Sequence, residues 1–245
     1  MKSFGMTDKG AVRQTNQDCF VIENRPKGNC TVAVVCDGMG GARAGDFAGR
    51  LAAKTFVSEV YGALPASLRF AKDIEKLLKD GCRKANGVVY EYARFEPEYD
   101  GMGTTIVGGV INGHKAYLVN AGDSRAYHLR RKAITQITKD HSYVQELVSS
   151  GAISAEEARN HPKKNIITRA LGVDKQLVCD YFEVPLRRGD AILLCSDGLS
   201  NTVTDAEILK TFEAFPEPRQ TCEMLMALAL ERGARDNVSV VVIKT

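Results

Sequence analysis

The sequence contains no uninterrupted apolar run approaching the ~20 residues that a bilayer-crossing helix needs, and no membrane association is expected. It has no excess of one charge: 33 Lys+Arg stand against 30 Asp+Glu, a formal +3 over 245 residues, with both signs interspersed. Nucleic-acid binding by phosphate neutralisation calls for a basic excess or stripe, so no nucleic-acid partner is expected. No C-x-x-C pair occurs among the seven cysteines, and several lie in apolar runs such as VAVVC and AILLC. They read as buried free thiols in a reducing compartment. No G-x-S-x-G nucleophile elbow appears, which leaves covalent serine catalysis unsupported. The opening MKSFGMTDKG lacks an apolar signal region, and no lipidation motif is present. A cytoplasmic, soluble protein is expected. Repeats, low-complexity tracts and Pro/Gly/Ser linkers are absent too, and one domain over residues 1–245 is expected.

What is present is ordinary globular composition, 44% hydrophobic and 26% charged. A domain of this size buries roughly 70–75% of its unfolded surface without staples. Runs rich in Val, Ile, Leu and Tyr predict strands at 31–36, 104–111, 115–120, 125–129, 191–195 and 239–243. Asn112-Gly113 between two of them predicts an antiparallel hairpin. Phe47, Ala48, Leu51, Ala52, Phe56, Val57 and Val60 share one face of a helix over 44–61. Ile74, Leu77, Leu78, Ala85, Val88 and Val89 do the same for a second helix despite Gly81 and Gly87, and Leu225–Ala229 mark a third. Blocks of helices around a run of hairpin strands are an α+β pattern. Asp140–Leu171 is polar, weakly periodic and set between core strands; it predicts a mobile flap.

Four segments share one design, an apolar strand beside an aspartate: VAVVC-Asp37-Gly38, VNAG-Asp123-Ser124, AILLCS-Asp197-Gly198 and Asp236-Asn237-VSVVVI. Each alone reads as a turn. Four together read as carboxylates on rigid strand ends, where cations offset their repulsion. Oxygen ligands without Cys or His at zinc spacing favour Mg²⁺ or Mn²⁺, and such metal pairs suit phosphate-ester hydrolysis. A dinucleotide loop at Gly38–Gly45 is rejected, because Arg43 stands where G-x-G-x-x-G needs glycine and Asp37 would repel a pyrophosphate. The glycines instead free the Gly38 carbonyl to approach a cation. Arg13 is the candidate phosphate clamp, since guanidinium binds phosphate bidentately.

The motifs G-x-V-R-x-x-N-Q-D, VVCDGMGGARAGD, GTT, VNAGDSRAY, TKDHS, ITRALG, LLCSDGLSN and RDNVSVVVI occur in that order. The set resembles the metal-dependent Ser/Thr protein phosphatases, type 2C, in their compact bacterial form, from about Asp8 to Ile243. The resemblance implies a four-layer αββα sandwich, two antiparallel sheets flanked by helices, with the metal site at one end. It also implies that Asp37 bridges two Mn²⁺ or Mg²⁺ ions, with the Gly38 carbonyl on the second and Asp197 and Asp236 on the first. Asp18 matches the residue holding metal-bound water, Asp123 with Asp197 the site of a third ion, and Arg13 the phosphate-binding arginine. Residues 141–169 are similar to the family's variable flap. Two departures stand out: Met39 and Ala42 occupy positions where members carry histidine, which points to metal-bound water as the leaving group's proton source. Gln17 stands where an acidic residue often precedes the matching aspartate.

The leading expectation is a phosphoserine/phosphothreonine protein phosphatase in which a metal-bridging water attacks phosphorus directly. It acts as a monomer opposing a Ser/Thr kinase encoded elsewhere, on phosphorylated protein substrates. The alternative is a non-catalytic phosphoprotein-binding protein on the same fold.

Overall fold

The computed structural model describes residues 1–25, 30–41, 43–64 and 71–245. Its elements in chain order are β1 (Lys2–Asp8), β2 (Asp18–Arg25), β3 (Cys30–Met39), α1 (Ala44–Ala63), α2 (Ala71–Phe95), β4 (Gly103–Thr104), β5 (Ile106–Asn112), β6 (Lys115–Ala121), β7 (Arg125–Arg130), β8 (Ala133–Gln136), α3 (Tyr143–Ser149), α4 (Ala155–Arg159), β9 (Asp180–Pro185), β10 (Ala191–Cys195), α5 (Asp197–Ser200), α6 (Asp205–Ala214), α7 (Pro218–Glu231) and β11 (Val238–Lys244). One sheet runs β1-β11-β10-β7-β8; the other runs β2-β3-β5-β6-β9, with β4 paired to β3. All these pairings are antiparallel.

The layering follows from strands buried on both faces. Along β3, Val32, Val34 and Cys36 pack with Ala48, Ala52 and Phe56 of α1 and Leu78 and Val89 of α2. The alternate residues Ala33 and Val35 pack with Val107, Leu118, Ile192, Leu194 and Val241 between the sheets. A third cluster joins Leu193, Val240 and Val242 to Ile208 and Phe212 of α6 and Leu225 and Ala229 of α7. Side chains on successive strand residues point to opposite faces, so a strand between helices and a second sheet must be apolar throughout. That is why VAVVC is continuous rather than alternating. The result is the expected αββα sandwich. Burying each large side chain contributes roughly 1.5–3 kcal/mol.

Several boundaries differ from the sequence reading, each for a local reason. β3 continues through Asp37 and Gly38 to Met39, because Gly38 and Met39 pair with Thr104 and Gly103 of β4. The strand expected over 104–111 is interrupted at Thr105 as Thr104 turns to bridge Leu171. α1 runs two residues beyond 61 and ends where Leu64, which precedes Pro65, takes an extended conformation. Gly81 is tolerated inside α2 because a Cβ there would lie 2.9 Å from Val60 Cγ2 of α1, so the two helices approach closely at that point. The weakly periodic flap contains α3, capped by Ser142, and α4, closed by a Ser154/Glu157 capping box. A Thr204/Glu207 capping box likewise starts α6, a signal that S/T-x-x-E could have supplied.

The seven cysteines are free thiols, five of them buried. No described helix is long and apolar enough to cross a membrane.

Candidate metal and phosphate site

The aspartate-bearing strand ends meet at one end of the sandwich. A cavity of about 430 Å³ there is lined by Arg13, Gln17, Asp37, Gly38, Met39, Thr105, Asp123, Asp197, Asp236 and Asn237, with Asn165 and Ile167 from the flap. Asp18 lies behind it, opposite Asp37 in the β2–β3 register. All seven residues singled out from the sequence therefore lie in or directly behind one cavity. The Ala42 position lies outside the described residues. Met39 lines the cavity, and none of the four histidines is among its described lining residues.

Asp37 is fixed through its backbone. Its N–H donates to Thr105 Oγ1 at 3.0 Å, and its carbonyl accepts from Thr105 N–H at 2.8 Å and Thr104 Oγ1 at 3.0 Å. Thr105 Oγ1 also bonds Ser124 Oγ at 2.7 Å, which ties Asp37 to the turn bearing Asp123. Gly38 donates its N–H to the Gln17 carbonyl at 3.1 Å. A Cβ on Gly38 would fall 2.0 Å from the Gly45 carbonyl oxygen, so only glycine lets β3 and the start of α1 pass this closely. Gln17 uses its side-chain amide to hold the Gly41 carbonyl, a structural use that its acidic counterparts could not supply as donors.

The carboxylates are charged groups forced together. Burial, followed by the charges of neighbouring aspartates, pushes Asp37 well above the usual carboxylate range. The same causes push Asp197 up to about 6 and Asp123 up to about 8. Asp18 is pushed up to about 7, chiefly by burial. Ser196 Oγ donates to Asp18 Oδ2 at 2.6 Å, and Asn201 Nδ2 to Asp197 Oδ2 at 3.0 Å. Their other oxygens, Asp18 Oδ1 and Asp197 Oδ1, are buried with no hydrogen-bond partner. A buried acceptor left unpaired is expensive. These orphaned oxygens and an all-oxygen donor set fit a hard divalent cation. Among the described residues, no three His, Cys, Asp or Glu side chains are yet gathered into a closed metal cage. The Arg125 and Arg13 charges both act to lower Asp197, and Arg13 pairs directly with Asp236.

Arg13 rides on the loop between β1 and β2, and Asn237 anchors that loop. Buried Asn237 accepts from Gln17 N–H and donates to the Lys9 and Thr15 carbonyls, each at 2.9 Å. The sequence reading missed this role, although Asn beside the ligand candidate Asp236 was visible. It also missed Thr105 and Ser196, which act only through partners distant in sequence. Cys36 and Cys195, beside Asp37 and close to Asp197, are fully buried; burial pushes Cys195 up to about 12 and Cys36 well above its ordinary value. Both are inert thiols, as their apolar flanks imply.

A two-sheet sandwich with carboxylates and an arginine at one end defines a class of metal-dependent phosphate enzymes. The chain belongs to the protein phosphatase 2C family, whose model matches residues 9–231. It is 38% identical over 239 residues to the serine/threonine phosphatase Stp of Listeria monocytogenes, covering 97% of this chain and 93% of that protein. It is similar to the crystal structure of the serine/threonine phosphatase Stp1 from Staphylococcus aureus, with a TM-score of 0.91, 35% identity, and coverage of 100% of this chain and 94% of that one. The catalytic domain of PstP in complex with two manganese ions gives a TM-score of 0.85 and 35% identity, covering 98% of this chain and 96% of that one.

Proposed function

We propose that the protein hydrolyses phosphoserine and phosphothreonine in phosphorylated proteins, using Mn²⁺ or Mg²⁺ bound at the carboxylate cluster. The observation that carries this reading is the convergence of Arg13, Asp37, Asp123, Asp197 and Asp236 on one cavity, with orphaned buried oxygens on Asp18 and Asp197. Asp37, the Gly38 carbonyl, Asp197 and Asp236 would hold two ions, Asp18 would hold their water, and Asp123 with Asp197 would hold a third. Bound there, the ions supply an activated water for in-line attack on phosphorus and offset the phosphoryl charge.

The chain's own residues do the rest. Arg13 orients the phosphate by a forked hydrogen bond. Asn237 fixes Arg13 by holding its loop, and Thr105 fixes Asp37. Since no described lining residue is a histidine, the leaving alkoxide takes its proton from water. A second hollow of about 610 Å³ under the flap shares Asp123 and Asp197 with the first, and it offers room for the protein chain flanking the phosphoresidue. The orphaned oxygens favour this reading over a non-catalytic phosphoprotein-binding role. We further propose that residues 1–245 form one catalytic domain, monomeric and cytoplasmic, that opposes a Ser/Thr kinase.

The test is hydrolysis of a phosphothreonine peptide by purified protein with and without Mn²⁺, beside Asp37→Asn. Manganese-dependent turnover that disappears in a folded Asp37→Asn protein is expected. Undiminished turnover in that variant would sink the proposal.

A further inference from the structure

His141 begins the flap and is buried, with 8% of its surface exposed. The Gly122 N–H donates to its Nδ1 at 3.1 Å, so Nδ1 carries no proton and Nε2 does. Nε2 in turn donates to Asp180 Oδ2 at 3.1 Å, on edge strand β9. Arg169, from the far end of the flap, reaches the other oxygen of the same carboxylate at 3.0 Å and lies 3.1 Å from Nε2. The backbone repeats the pattern: His141 N–H donates to the Gly122 carbonyl at 2.9 Å, and Thr168 N–H donates to the His141 carbonyl at 2.8 Å. One residue thereby touches the turn before Asp123, both ends of the flap and the β9 edge.

We infer that His141 is a positioning residue that fastens the Asp123 turn to the base of the flap, one ring nitrogen serving each. The inference rests on the phosphatase reading above. The Gly122 carbonyl belongs to the peptide plane that joins Gly122 to Asp123. Its bonds from His141 N–H and from Asn120 Nδ2 at 3.2 Å set the direction in which Asp123 leaves the turn. The flap's Asn165 and Ile167 line the same cavity as Asp123. A displacement of the flap base is therefore transmitted to Asp123, and the Nδ1 and Nε2 bonds divide that linkage into two separable arms.

Two substitutions each keep one arm. Asparagine at 141 offers an amide oxygen near the place of Nδ1, preserving the acceptor for Gly122. Glutamine reaches the place of Nε2, preserving the donor to Asp180 but leaving Gly122 without its acceptor. In the metal-free full chain, the Gly122 amide is expected to exchange with solvent about tenfold faster in His141→Gln, the effect of losing one hydrogen bond. In His141→Asn the rate stays near that of the unsubstituted protein. With Mn²⁺ present, His141→Gln loses roughly ten- to a hundredfold in kcat on both p-nitrophenyl phosphate and a phosphothreonine peptide, the usual effect of removing a ligand's supporting partner. His141→Asn restores most of that kcat and instead raises KM for the peptide, the substrate large enough to meet the flap. Asp180→Ala removes the acceptor of Nε2, cuts only the flap arm, and reproduces the peptide KM effect even if the His141 variants fold poorly. Equal Gly122 exchange in the Asn and Gln variants, or kcat and KM moving together in both, would overturn the assignment. Absence of metal-dependent turnover in the unsubstituted chain would sink the phosphatase reading alone, and the exchange comparison would still decide the role of His141.

Discussion

The guanidinium of Arg13 donates to Asp236 Oδ2 at 2.7 Å, so the proposed phosphate clamp and a proposed metal ligand hold one another. Burial hardly enters, since both side chains are substantially exposed, and such a pair contributes little to stability. Its importance is positional: cations on Asp236 and a phosphate in the cavity compete for the same two groups. Arg13→Ala is expected to lower kcat/KM on a phosphopeptide roughly ten- to a hundredfold, the equivalent of a charged hydrogen bond worth about 1.5–3 kcal/mol. Melting temperature should hardly move. A variant with unchanged kcat/KM would remove Arg13 from the mechanism.

The carboxylate cluster makes stability depend on pH in an unusual direction. Asp123, Asp18 and Asp197 have folded-state values of about 8, 7 and 6, above the ordinary 3.9 of an unfolded Asp. Between pH 8 and pH 6 the folded chain takes up more protons than the unfolded one, so metal-free stability rises as pH falls. Thermal unfolding of chelator-treated protein should give a higher melting temperature at pH 6 than at pH 8. Adding Mn²⁺ should raise it more at pH 8, because cations and protons compete for the same oxygens. A metal-free melting temperature that climbs from pH 6 to pH 8 would contradict the reading.

Asn237→Ala removes three backbone contacts at 2.9 Å that hold the Arg13 loop. Leaving those groups unsatisfied costs about 1–3 kcal/mol, measurable as a shift in urea midpoint. Activity should fall by more than this loss of stability alone explains, because the loop that aims the Arg13 guanidinium loosens. Urea curves that superimpose would show the anchor to be dispensable.

Gly38→Ala puts a methyl 2.0 Å from the Gly45 carbonyl oxygen and 2.8 Å from that of Gln17, both backbone atoms that cannot swing aside. The chain must shift where β3 meets α1, at a cost of about 1–3 kcal/mol or more. A lowered melting temperature and weakened Mn²⁺ binding by calorimetric titration are expected together. Normal metal binding in this variant would mean that the Gly38 carbonyl is not a ligand.

Much of this site was legible before any coordinates. Asp37, Asp123, Asp197 and Asp236 announced themselves because each interrupts or borders an apolar run, Gly38 and Arg13 followed from glycine freedom and guanidinium chemistry, and the ordered motifs added Asp18. The supporting residues were not legible. Ser196 looks like any serine until Asp18, 178 residues earlier, is found 2.6 Å away. Asn237 reads as a turn residue until the backbone of a loop 220 to 228 positions distant closes on it. His141 carries no local pattern that separates a packing role from a linking one.

The sequence by itself determined an α+β set of strands and helices, because period-2 and period-3.6 patterns are local properties; the four-layer αββα order rested on the resemblance to the type 2C phosphatases. It also determined which carboxylates stand at strand ends. Only the tertiary structure decided that Asp18 faces Asp37 across a strand pair, that one oxygen on Asp18 and one on Asp197 are left without a donor, and that His141 joins the Asp123 turn to the flap. Those facts depend on register and on which buried polar groups find partners. Both are fixed by packing between segments far apart in the chain, where local propensity has no influence.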